Sequence, residues 1–265
     1  MRVTILWAVV SPLFSQQRPL VTERVETVPE GKRQVELGAE FFQDAVFALA
    51  GLKGDLSRVG VYGVRLGAGE KIEVQVLGTV QNVLNVEDRF AAPASTRLDF
   101  SGNSTSDFGD ITVATKMRFT DQTSIWPALG MRFGAELPIA SNESGLGVDE
   151  TNAFTSLLLE KHFGGLELWG NIGLTLLGDP LDGGAQDDLL TYGLAFLCPL
   201  NTRFNLVGEW NGRAGPGGVG TEEQSLLRVG AQIKAAGFYW DAGVAAGLEE
   251  TDPSWGLLVG LSKRF

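Results

Sequence analysis

The sequence is poor in the residues that hold metals and close disulfides. Among its 265 residues there is one cysteine, Cys198, and one histidine, His162. One cysteine excludes an intramolecular disulfide framework and a cysteine-cluster zinc site. One histidine excludes a multi-histidine metal centre. We therefore predict neither a bound metal nor a cofactor.

Charge and long apolar runs are also scarce. Only 20% of the residues are charged, and the formal net charge is −11, which argues against a surface that tracks nucleic-acid phosphates. No apolar run approaches the roughly 18 residues of a membrane-spanning helix. What the chain does have is 44% hydrophobic residues and 35 glycines, a composition that argues against disorder and against a coiled coil.

The first residues have the pattern of a secretory signal peptide. Arg2 precedes the apolar stretch 3–10, and Ser15 offers a cleavage point, so residues 1–15 are predicted to be removed on export. A first core strand is the alternative. Residues 16–31 contain Pro19, Pro29 and several charges without periodicity, and we expect an extended periplasmic segment there. Residues 32–265 then form the main domain.

From Arg33 onward, apolar and polar residues alternate with a period of two, which predicts strands rather than helices. Most candidates are near the 9 to 11 residues that a tilted strand needs to cross a hydrocarbon layer. The twelve predicted strands are approximately 33–42, 57–67, 72–82, 109–119, 127–138, 152–163, 166–177, 189–200, 204–213, 224–234, 238–248 and 254–265.

The links between the predicted strands alternate in length. Tight links at 68–71, 120–126, 164–165, 201–203 and 235–237 alternate with longer links rich in Gly, Asp, Pro and Ser. Long loops at one end and short turns at the other are typical of an outer-membrane barrel with both termini in the periplasm. The predicted fold class is therefore all-β, a transmembrane up-and-down antiparallel barrel of about twelve strands.

Aromatic residues support a membrane barrel over a soluble one. They cluster beside the predicted short turns, where a membrane-interface girdle would lie. In a soluble barrel the same rings would cap the core, and this alternative stays open. The predicted girdle consists of Phe119, Trp126, Phe163, Phe204, Phe238 and Phe265.

Several stretches also resemble a known family. Residues 106–119 (SDFGDITVATKMRF), 129–138 (LGMRFGAELP) with the loop 145–147, 192–200, 206–210 and the ending 260–265 (GLSKRF) resemble the bacterial outer-membrane proteins called MetA-pathway of phenol degradation proteins. The resemblance covers roughly residues 30–265. It implies an outer-membrane barrel of a Gram-negative-type bacterium that takes up aromatic or other hydrophobic compounds, and it brings no catalytic residues.

The C-terminus suggests how the barrel is assembled. The last predicted strand alternates and ends in Phe265, which resembles the signal recognised by the outer-membrane assembly machinery. We therefore expect two partners besides an unidentified small solute, namely that machinery and outer-membrane lipid, and we expect no nucleic acid.

In a membrane barrel the polar strand faces point into the lumen. Charges of both signs can pair there, whereas Lys or Arg facing lipid near the midplane costs about 2–4 kcal/mol. These inward-facing charged residues line either a path for small solutes or a closed, salt-bridged interior. The predicted lumen-lining residues are Glu36, Glu40, Glu73, Asp110, Lys116, Arg118, Arg132, Glu136, Glu167, Glu209, Arg228, Lys234 and Asp241.

Three functions follow, in order of preference. The first is a channel or transporter for passive uptake of small, hydrophobic or aromatic molecules, without catalysis. The second is a closed structural or adhesive barrel. The third is a membrane-embedded hydrolase, which needs a histidine within hydrogen-bond reach of a serine; Ser156 is six positions from His162 on the same predicted strand, about 20 Å away.

Overall fold

The chain folds into a ring of antiparallel strands in the computed structural model, which describes residues 17–181 and 186–265. The predicted signal peptide, residues 1–15, lies outside the described residues. The strands are β1 (Arg33–Phe47), β2 (Leu52–Gly69), β3 (Ile72–Arg89), β4 (Ser104–Asp107), β5 (Ile111–Thr120), β6 (Ala128–Leu137), β7 (Asn152–Phe163), β8 (Leu166–Gly178), β9 (Gln186–Pro199), β10 (Phe204–Ala214), β11 (Gln224–Ala235), β12 (Phe238–Gly247) and β13 (Trp255–Arg264).

The ring closes between the first and last strands. Twelve strands pair in sequence order, with β5 following β3, and β1 pairs with β13 from Gln34↔Arg264 to Gln43↔Trp255. The remaining strand, β4, adds a short antiparallel pairing to β3. In the described part of the chain, no helix has the length and apolarity to cross a membrane. The predicted up-and-down antiparallel barrel of about twelve strands is thus confirmed.

The first three strands are longer than the sequence predicted. β1 has 15 residues, and β2 and β3 have 18 each, so most of the predicted link 43–56 is a hairpin with a turn at 48–51. Register shifts accommodate the polar residues that suggested a loop, for example between Phe42 and Ala45 in β1. Asp44 sits in this bulge at φ 58°. A bulge keeps a strand paired through an irregular stretch, which alternation alone does not reveal.

The two faces of the barrel are inverted relative to a soluble protein. Large apolar side chains point outward and are exposed, among them Leu194 (57%) and Val244 (54%), whereas Gln75 (0%) and Gln232 (1%) are buried inside. Apolar groups outside and polar groups inside are the arrangement of a membrane barrel. The six predicted girdle aromatics lie at the short-turn end, all exposed except the half-buried Phe238.

The outward apolar surface predicts a depth-dependent cost of charge. Val259 lies in the middle of β13 and is 53% exposed, whereas Leu200 lies in the short turn after β9. Val259→Arg is expected to lower the free energy of unfolding by about 2–4 kcal/mol, and Leu200→Arg by about 0–1 kcal/mol. Reversible urea unfolding in lipid vesicles measures both. Equal effects at the two positions would contradict a lipid-facing surface.

Candidate functional site

The N-terminal segment, residues 17–30, lies inside the barrel rather than beside it. The sequence predicted an extended periplasmic segment; the segment is extended, but its backbone N–H groups donate to inward-facing carboxylates. A lumen segment without a neighbouring strand must find such partners for its backbone. The bonds are Val21 and Thr22 to Glu209 (3.0 and 2.8 Å), Val25 and Glu26 to Glu160 (2.8 and 3.1 Å), and Val28 to Glu73 (2.6 Å).

Arg18 fastens the start of this segment to three strands. Its guanidinium lies 3.3 Å from Glu40 on β1 and 3.6 Å from Asp241 on β12, and it donates to the Val259 carbonyl on β13 at 3.0 Å. The group packs where Gly38 and Gly260 face each other across the β1–β13 pairing, and a Cβ at either glycine would collide with it. The strands leave space for the segment where they lack side chains.

Glu23 holds the middle of the segment in a cluster of cations. Its carboxylate accepts from Arg65 at 2.8 Å, lies 3.4 Å from Lys116 Nζ, and lies 3.9 Å from Arg132 Nε. Burial alone would raise the pKa of the Glu23 carboxyl, but these three cations outweigh burial and hold the pKa well below its usual range. Glu23 is therefore ionised at neutral pH and remains paired.

At Arg24 the charges are reversed, because a cation of the segment lies between carboxylates of β7 and β8. Its guanidinium bonds to Glu160 on β7 and Glu167 on β8, and it lies over the Trp169 ring at 4.5 Å from the ring centroid. His162 Nε2 is 3.0 Å from the same Glu160 carboxylate. Removing one partner from a buried ion pair leaves an uncompensated charge. Loss of Arg24 would therefore leave the Glu160 and Glu167 carboxylates without this counter-charge.

One group of potential metal ligands occurs among the described residues. Atoms of Glu160, His162 and Glu167 lie within 4.8 Å of one another. Arg24 already bonds to both carboxylates, so the group functions in this structure as an ion-pair cluster around a guanidinium.

Above the segment, on the long-loop side, lies an outer cavity of about 280 Å³. One side of it is apolar, formed by the β1–β2 turn and two long loops. The other side carries charged and amide side chains. The apolar contributors include Val46, Phe47, Leu49, Leu146 and Val219, and the polar ones include Asp110, Glu136, Asn152 and Arg213.

An inner cavity of about 300 Å³ lies between the outer cavity and the segment. Glu136 and Asn152 line both cavities, and Asn152 donates to Glu136 at 3.0 Å. Val21 and Thr22 of the segment form part of the inner wall. A gap of about 20 Å³, lined among others by Arg24 and Arg264, contacts the short-turn end of the segment. The segment thus separates two wide cavities from a narrow gap.

The structure places the predicted lumen residues in three groups. Glu36, Glu40, Glu73, Lys116, Arg132, Glu167, Glu209, Arg228 and Asp241 form ion pairs in the interior, most of them with the segment or beside it. Asp110 and Glu136 line the outer cavity. Arg118 and Lys234 lie at the short-turn end, where Arg118 pairs with Asp121 at 3.0 Å and Lys234 Nζ lies 5.6 Å from the Tyr239 ring centroid.

Other residues of the site were not predicted. Glu160 on β7 and Arg65 on β2 lie at inward positions of alternating strands, so the alternation was sufficient to find them. Arg18, Glu23 and Arg24 lie in the non-periodic segment, and no pattern in the sequence connects them to partners as distant as Glu160 and Asp241.

Comparisons with known proteins agree on the fold. No protein-family model matches the chain, and no curated protein matches it in sequence. The COG4313 outer membrane channel from Pseudomonas putida F1 is similar in structure, with a TM-score of 0.62 and 17% identity over 93% of this chain and 100% of that chain. The NanC porin has a TM-score of 0.53 and 8% identity over 87% and 98%. These are outer-membrane barrels, and the predicted location in the outer membrane of a Gram-negative-type bacterium is confirmed.

The ion pairs of Arg24 predict how firmly the segment is docked. Arg24→Met leaves the Glu160 and Glu167 carboxylates without their guanidinium and is expected to weaken docking by about 3–5 kcal/mol. Hydrogen–deuterium exchange at residues 21–28 measures this as lost protection. The matched control is Arg203→Met in the exposed β9–β10 turn, which should leave exchange unchanged. Equal protection in the Arg24 variant would contradict the anchoring role.

Proposed function

We propose that the protein is an outer-membrane channel for passive uptake of small molecules, with the N-terminal segment as its plug. The observation that carries the proposal is the succession of two cavities of about 280 and 300 Å³ that share Glu136 and Asn152. They form a polar route from the long loops to the segment. Pockets of roughly this size accept small organic molecules.

The apolar side of the outer cavity supports solutes with a hydrophobic or aromatic part. Phe47, Leu49 and Val219 provide contacts for such a part at the mouth. Uptake of hydrophobic or aromatic compounds is also what the resemblance to the phenol-degradation family implies. This solute class is a proposal for the mouth of the channel.

A closed barrel without transport is the second candidate, because the segment fills the short-turn half of the lumen with paired charges. A hydrolase has less support. The described residues give His162 Nε2 a bond to Glu160 and none to a serine hydroxyl. A nucleophile activated by this histidine would require such a bond.

The partners of the protein are proposals too. We infer that lipid covers the outward apolar surface, and that the assembly machinery recognises β13 through its end at Phe265. The Phe265 ring is 50% exposed and lies 5.0 Å from Lys263 Nζ, which leaves it accessible at the rim.

Blocking the inner cavity tests the route. Ser156 lines this cavity, whereas its neighbour Leu157 points outward and is 56% exposed. Wild-type protein in liposomes should pass small solutes faster than protein-free vesicles. Ser156→Trp should lower that flux at least several-fold because the indole fills the route, and Leu157→Trp should not. Flux equal to protein-free vesicles in the wild type would favour the closed barrel.

Removing the plug tests its role as the barrier. A chain that lacks residues 18–28 should have a higher single-channel conductance in planar bilayers, because the lumen would be open between its charged walls. Glu209→Gln, which weakens the acceptor of the Val21 and Thr22 amides, should produce more frequent open events. Unchanged conductance in the shortened chain would contradict the proposal that the segment is the barrier.

A further inference from the structure

The lining of the inner cavity is rich in hydroxyl groups. Four of them lie on its walls, on Thr112, Ser156, Thr175 and Thr191, which are half-buried. A fifth belongs to Thr22 of the segment, whose Oγ1 is buried and unpartnered although the residue is only 3% exposed. A buried hydroxyl without a partner costs free energy. With one such group and four accessible hydroxyls around it, this space suits a hydrogen-bonding occupant.

Two of the hydroxyls converge on a glycine. Ser156, Gly173 and Thr191 are directly paired across β7, β8 and β9. A Cβ at Gly173 would collide with Ser156 Oγ and would come within 2.9 Å of Thr191 Oγ1. These hydroxyls fill the space over Gly173, and the glycine thereby brings them close together on one wall of the cavity.

Neighbouring side chains engage both charged groups of the cavity. Its lining has one cation, Arg132, and one carboxylate, Glu136. Arg132 lies near Glu23, donates to Gln75 and has its guanidinium 4.6 Å from the Phe154 ring centroid, while Glu136 accepts from Asn152. An ionic solute would have to displace these contacts. Hydroxyl groups both donate and accept, and they match an uncharged solute that does the same.

We propose that the inner cavity is a binding site for small uncharged solutes with several hydroxyl groups, the class of monosaccharides and polyols. This inference rests on the proposed channel function and names a solute class for the inner cavity, separate from the hydrophobic class proposed for the mouth. A cavity of about 300 Å³ has room for roughly ten waters at about 30 Å³ each. A sugar ring displaces several waters and offers each wall hydroxyl a partner.

The test measures glucose binding to the full chain in detergent by isothermal titration calorimetry. Thr175→Val with Thr191→Val keeps the side-chain shape and removes two wall hydroxyls, so the affinity should fall roughly 10-fold. The matched control is Thr155→Val, whose residue points outward between Phe133 and Leu174 and whose change should leave the affinity intact. Tetrahydropyran, which has the ring of glucose without its hydroxyls, should not compete.

Thr22→Val gives a second readout. It should leave the thermal stability equal or higher, because it removes an unpartnered hydroxyl, while it weakens glucose binding. No saturable glucose binding, equal affinity in the Thr175/Thr191 variant, or competition by tetrahydropyran would overturn the inference. Liposome flux is measured separately. Binding without flux would refute the channel and keep the site, and flux without binding would refute the site and keep the channel.

Discussion

The interior depends on one interaction, the donation of backbone N–H groups of the N-terminal segment to carboxylates on the barrel wall. Glu209, Glu160 and Glu73 each accept from this backbone. An extended chain in a lumen has unpaired amides, and inward-facing carboxylates have uncompensated charge. Hydrogen bonds between the two satisfy the amides and compensate the charge of the carboxylates. The cation clusters around Glu23 and Arg24 complete the neutralisation, and small apolar clusters, Leu20 with Val207 and Val25 with Leu158 among them, pack beside these charges.

This arrangement divides the lumen by chemistry. Ion pairs fill the part around the segment, hydroxyl and amide groups surround the inner cavity, and apolar side chains line one side of the mouth. Buried clusters such as Leu52, Leu84 and Val86 extend the apolar part into the long β2–β3 hairpin. The lumen therefore becomes more polar from the long loops inward. In the proposed channel, discrimination between solutes would depend on how well each zone replaces the water that the solute gives up.

Alternation made the barrel predictable, because period two is a local property of each strand. The inward positions of Glu36, Lys116 and Glu209 follow directly from it. The same alternation also places Glu160 and Arg65 inward, although they were not predicted. The extra length of β1 to β3 was not predictable, because bulges such as the one at Asp44 interrupt the alternation while the pairing continues. The location of the segment was not predictable either. Its contacts join residues such as Arg18 and Asp241 that are far apart in sequence, and a non-periodic stretch does not indicate which surface it touches.

Arg18 has a consequence for the mechanical integrity of the ring. It bonds to Glu40 on β1 and to the Val259 carbonyl on β13, the two strands that close the barrel. The segment is covalently continuous with β1, so a single side chain bridges the seam from within. Separation of β1 from β13 into the bilayer would break these contacts and the Gly38–Gly260 packing at once. The residue that begins the segment thus also joins the two strands that close the barrel, so opening this seam and undocking the segment would break the same contacts.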